Sequence, residues 1–90
     1  MADTLKTPDC QRDLASANAL ILAIAAREKQ FVPDNLEKNC RLLRQNLADL
    51  VRARAPLARC LTGYDLSENV GRMDGSIGDI RTVLADKCQK

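Results

Sequence analysis

Four cysteines, Cys10, Cys40, Cys60 and Cys88, are the residues with the most chemistry to offer in this 90-residue chain. A thiol can ligate a metal, cycle with a partner thiol, attack as a nucleophile or close a covalent bridge. There is no histidine and no closely spaced cysteine pair, so the ligand clusters of zinc sites and the Cys-x-x-Cys redox motif are both missing. Acid–base chemistry finds little more. Asp74 and Asp79 are available carboxylates, but isolated acids on a helix ordinarily form a solvated face. No phosphate loop after a strand and no nucleophile elbow is present. The expectation is a protein that is not an enzyme, with no cofactor and no metal.

Basic residues offer a second kind of chemistry. Residues 36–64 carry a net charge of +4, while the segments on either side each sum to −1. Lys38, Arg41, Arg44, Arg52, Arg54 and Arg59 supply that charge. At helical spacing Lys38, Arg41 and Arg52 share an arc with Gln45, which suits either an acidic partner or a solvated surface that balances acids on neighbouring helices. Nucleic acid is not expected as a partner, because the overall charge is only +2 and no helix-turn-helix signal is visible.

The elements that must position these groups are helices. Thr7-Pro8 supplies an N-cap followed by proline where its missing N–H is harmless. Cys10, Leu14, Ala17, Ile21 and Ile24 then recur at spacings of four and three, predicting helix one over about 8–30. Pro33 breaks the run, and Asp34 with Glu37 forms a capping box for helix two, about 34–54. Its seam is Leu36, Cys40, Leu43, Leu47 and Leu50, and Ala55-Pro56 should bend or stop it. "PLARCLTGYD" reads as a connection. Asp65 with Glu68 caps helix three, about 66–88, whose stripe is Leu66, Val70, Met73, Ile77, Ile80 and Leu84. Asp74-Gly75-Ser76 leaves a loop there open as an alternative.

Three such rods make an antiparallel, all-α bundle forming one domain, and its ends restrict the cysteines. Cys10 and Cys60 fall at one end, Cys40 and Cys88 at the other. At about 1.5 Å per residue, Cys10 and Cys40 lie about 20 Å or more apart, against about 4.4–6.8 Å between the Cα atoms of a bridge. The one surviving connectivity is Cys10–Cys60 with Cys40–Cys88. Four buried free thiols in a cytosolic bundle are the alternative. Closing loops of about fifty residues is worth about 4 kcal/mol each on a chain-entropy model, comparable to a small core, so bridges would point to an oxidising compartment.

The apolar run Ala19–Ala26 is too short to span a membrane. It is not a signal peptide either, because Asp3, Asp9 and Asp13 precede it. Either the chain is cytosolic or a leader has been removed ahead of it.

Gly71, Gly75 and Gly78 lie opposite the stripe of helix three, in line with Thr82 and, if the helix extends back, Tyr64. Each glycine costs about 1 kcal/mol relative to alanine in a helix interior. A smooth face for a partner helix or a second copy of the chain would account for them; tolerated glycine or a local break is the plainer explanation.

The stretch "LARCLTGYDLSENVGRMDGSIGDI" followed by a late cysteine resembles a group of short, exported, cysteine-containing helical proteins of unknown function from Gram-negative bacteria. The resemblance covers the last third of the chain. It implies a periplasmic or secreted location and transfers no site residues. The sequence reading is therefore a non-catalytic periplasmic interaction or scaffold module. The alternatives are a bundle that binds a small apolar or acidic ligand and a cytosolic regulator with free thiols.

Overall fold

A computed structural model describes residues 7–88. The Thr7 hydroxyl accepts a hydrogen bond from the Cys10 amide at 3.1 Å, and Pro8 opens helix α1, Pro8–Glu28. The chain leaves α1 two residues earlier than the sequence stripe suggests, through a turn in which Lys29 N–H and Gln30 N–H donate to Ala26 and Arg27 carbonyls.

Helix α2, Leu36–Cys60, departs from expectation at both ends. Its N-cap is Asn35 rather than Asp34, with Asn35 Oδ1 accepting from Lys38 N–H at 2.9 Å. Asn39 decides between these neighbours. Its side chain accepts from Val32 N–H at 2.9 Å and donates to Val32 O at 2.7 Å, which fastens the incoming loop to the first turn of the helix. At the other end Pro56 sits inside the helix without stopping it. An interior proline costs about 3 kcal/mol. Continuing the helix buries Leu57 and brings Leu61 and Cys60 into the interior, and each leucine returns about 1.5–3 kcal/mol. Burial outweighs the break.

The connection to α3 is short because α2 runs so far. Gly63 follows Leu61 and Thr62 with φ of 59°, a left-handed conformation that glycine adopts without penalty. Helix α3 therefore begins at Gly63, before the Asp65–Glu68 box, and runs unbroken through Gly71, Gly75 and Gly78 to Val83. From Leu84 to Cys88 it loosens into a π-helical turn. Looser winding turns less per residue, so Cys88 stops short of the line of Leu84 instead of passing it by about 40°. Arg44 Nη2 donates to the Cys88 carbonyl at 3.1 Å, satisfying an end that lacks a helical partner.

The three helices form an all-α bundle closed by two disulfides, Cys10–Cys60 and Cys40–Cys88, with Cα separations of 5.5 and 5.8 Å. All four cysteines are paired. The core draws Ala17 and Ile24 from α1, Leu50, Ala53 and Leu57 from α2, and Met73 and Ile77 from α3. As the middle element, α2 packs against both neighbours and buries a wider arc than one leucine seam. Leu42, Asn46, Asp49 and Ala53 are buried, whereas Leu43 and Leu47 are half-buried and Leu36 is exposed. Ile21, expected in the seam of α1, is also exposed. Among the described residues no helix is long and apolar enough to cross a membrane.

Candidate functional site

The bundle is fastened unevenly. α1 is joined to α2 by the loop at residues 29–35 and, at its other end, by Cys10–Cys60. α2 is joined to α3 by Leu61-Thr62 and, at its other end, by Cys40–Cys88. Nothing covalent joins α1 directly to α3. No Cα of α1 comes within 8 Å of a Cα of α3, although both helices approach α2 that closely. The α1–α3 seam is thus the open side of the molecule.

A cavity of about 400 Å³ lies along that seam. Its apolar wall comes from Ile24, Phe31, Leu43, Leu50 and Ile80. Its polar groups are Glu28 at the end of α1, Asn46 on α2, and Ser76 and Asp79 on α3. A smaller hollow of about 180 Å³ continues along the seam toward Ile21, Asn69 and Met73, sharing Leu50 and Ser76 with the first. The hollow is half open to solvent; an apolar concavity with a few convergent polar groups is the usual form of a small-molecule site, and 400 Å³ falls within the ordinary size range.

Asn46 links the cavity to a buried polar network. It is only 2% exposed, and its Oδ1 accepts from Arg27 Nη1 at 3.1 Å. The same guanidinium nitrogen donates to Asp49 Oδ2 at 2.6 Å. Since arginine can only donate, this contact fixes which amide atom of Asn46 is the oxygen. Nδ2 points away from Arg27 and has no acceptor in the hydrogen-bond network of the described residues. It is not sealed off, because among the described residues no fully buried side-chain nitrogen or oxygen lacks a partner.

Of the groups singled out from the sequence, Asp79 lines the cavity, and the basic and glycine-face candidates lie elsewhere. Arg52 reaches Asp49 at 3.5 Å, and Arg44 holds the Cys88 carbonyl. Arg59 pairs with Asp13 of α1, and Arg54 makes two bonds to Asp74 of α3, at 2.6 and 3.2 Å. That hydrogen-bonded pairing holds the Asp74 carboxyl below its ordinary range and raises the Arg54 guanidinium. Arg41 is exposed and Lys38 half-buried. These groups do not converge on one pocket. Gly71, Gly75 and Gly78 face open space, with nothing within 4 Å of where a Cβ would stand, and Tyr64 is 72% exposed. Thr82 turns its hydroxyl back to the Gly78 carbonyl at 3.0 Å.

Glu28, Asn46 and Ser76 were not legible as site residues, because no motif marks them. Among the described residues no group of three or more potential ligands is placed to hold a metal. No protein-family model, curated protein or solved structure matches the chain significantly.

Proposed function

We propose that the protein is a non-catalytic binding module of an oxidising compartment, the periplasm or the cell exterior, and that small ligands enter it between α1 and α3. The observation that carries this reading is the cavity of about 400 Å³ on the seam between two helices that are each pinned to α2 but not to each other. Such a seam can widen without breaking a bridge. The paired cysteines support the compartment, since disulfides persist where thiols are not kept reduced. They also remove support from a cytosolic regulator with free thiols. The resemblance to exported Gram-negative proteins points the same way.

Binding of N-phenyl-1-naphthylamine, a neutral apolar dye that brightens on leaving water, tests the reading. Saturable brightening that Ser76→Trp abolishes is the expected result, since Ser76 is exposed and lines both hollows. No saturable binding of this dye or of a cationic amphiphile of similar size, or binding that the tryptophan leaves unchanged, overturns it.

A second reading, an interaction or scaffold module working through helix three, is favoured by the open space over Gly71, Gly75 and Gly78 beside exposed Tyr64. Sedimentation of the wild type and of a folded Gly71→Leu/Gly75→Leu variant tests it. Self-association lost in the variant supports it; a monomer in both removes the second-copy form of the idea.

A further inference from the structure

Resting on the ligand-binding reading, we propose that the seam cavity takes an amphipathic organic cation. Its amine sits at the mouth between Glu28 and Asp79, its apolar body lies against Leu43, Leu50 and Ile80, and a hydroxyl or carbonyl oxygen accepts from Asn46 Nδ2.

Asp9, Asp13, Asp49, Glu68 and Asp74 each have an arginine nitrogen within 4 Å. Glu28 and Asp79, the two carboxylates of the cavity, form no such pair among the described residues, and they come from the two helices that flank the opening. Arg27 lies close in sequence to Glu28, but its guanidinium is committed to Asp49 and Asn46. An anion entering here meets two negative groups and no free cation of the cavity wall. A cation meets its counter-ions without displacing an existing pair.

The inner end of the cavity adds an independent requirement. Asn46 is almost wholly buried, lines the cavity and carries an amide N–H group with no acceptor among the described residues. A buried donor left unpaired loses its hydration without recompense, so a purely hydrocarbon ligand would bind more weakly as it displaced solvent. A ligand with an oxygen at this end would not. Carboxylates at the rim, apolar walls and a donor inside specify the order amine, apolar body, acceptor.

Three probes separate these elements in a 1H–15N NMR titration of the oxidised protein. Tyramine carries amine, ring and phenolic oxygen; phenethylamine lacks the oxygen; 4-ethylphenol lacks the amine. The expected order of affinity is tyramine first, with both others weaker. Shifts should centre on Ile24, Leu50 and Ile80 and disappear in Ser76→Trp. The exposed double variant Glu28→Gln/Asp79→Asn should weaken tyramine about fivefold to tenfold, as two solvent-screened ion pairs allow, and leave 4-ethylphenol unchanged. If 4-ethylphenol binds in the seam as tightly as tyramine, or the double variant does not weaken tyramine, the cation is wrong while the binding site stands. If phenethylamine equals tyramine, the role of Asn46 is wrong. If none of the three shifts the seam, the ligand-binding reading falls with the inference.

Discussion

Arg27 on α1 and Asp49 on α2 meet at 2.6 Å with side chains only 24% and 11% exposed. Two charges are taken largely out of water where the sequence suggests leucine packing, and they fasten α1 to α2 near the cavity. Removing one partner of a buried pair leaves the other uncompensated, whereas replacing both with apolar groups can be neutral. Arg27→Ala should lower stability in urea by about 2–3 kcal/mol, exposing the needs of Asp49 and Asn46 together. Arg27→Met/Asp49→Leu should recover most of that loss. A double variant as unstable as the single one would show that the pair contributes more than its own satisfaction.

The covalent framework predicts a larger effect. Loops of 50 and 48 residues are closed by the two bridges, and each closure is worth about 4 kcal/mol on the chain-entropy model. A core of this size supplies about 3–5 kcal/mol. Full reduction should therefore abolish the cooperative thermal transition seen by circular dichroism near 25 °C and above, while either bridge alone should leave a weakened one. Peptide mapping of the unreduced chain should recover Cys10 with Cys60 and Cys40 with Cys88.

Much of this architecture was readable from spacing. The cysteine pairing followed from placing three rods back to back, and the stripe of α3 kept its phase through the glycines. What escaped the reading was decided by tertiary competition. Pro56 looks like a helix end until the burial of Leu57, Cys60 and Leu61 is set against it. Asn35 and Asp34 are equivalent caps until Asn39 clamps Val32. Asn46 and Asp49 fall between leucines of the expected seam, and only the packing of α2 against two neighbours carries them inside. The cavity itself was out of reach, because it arises where the backbones of α1 and α3 stay apart, and no residue pattern records a gap.

The Arg54–Asp74 pair ties α2 to α3 on a half-exposed surface, and it makes stability depend on pH. Asp74 is held below the ordinary carboxylate range by its hydrogen bonds to Arg54. Its folded state therefore binds a proton less readily than the unfolded chain, whose aspartate titrates near about 3.9. The stabilisation is fully present above that value and is lost as pH falls through the lower folded value. Between about pH 5 and pH 2, the wild type should lose stability more steeply than Asp74→Asn, and the two curves should converge at the acid end. Parallel urea midpoints across that range would show that the pair is too well screened to matter.

The glycines of α3 yield a prediction that separates fold from function. A Cβ placed on Gly71, Gly75 or Gly78 meets nothing within 4 Å, so alanine there adds no clash and removes backbone freedom from the unfolded chain. Each Gly→Ala change should raise stability by about 0.5–1 kcal/mol, and the three together by about 1.5–3 kcal/mol if their effects add. Gly63 is the internal control. Its φ of 59° is in the left-handed region, so Gly63→Ala should destabilise by about 1–2 kcal/mol. Thermal melts of the four single variants decide the matter. Gains at the three helical sites beside a loss at Gly63 would mean that the exposed glycines are a cost to folding, and would leave their presence to be explained by whatever lies against that face.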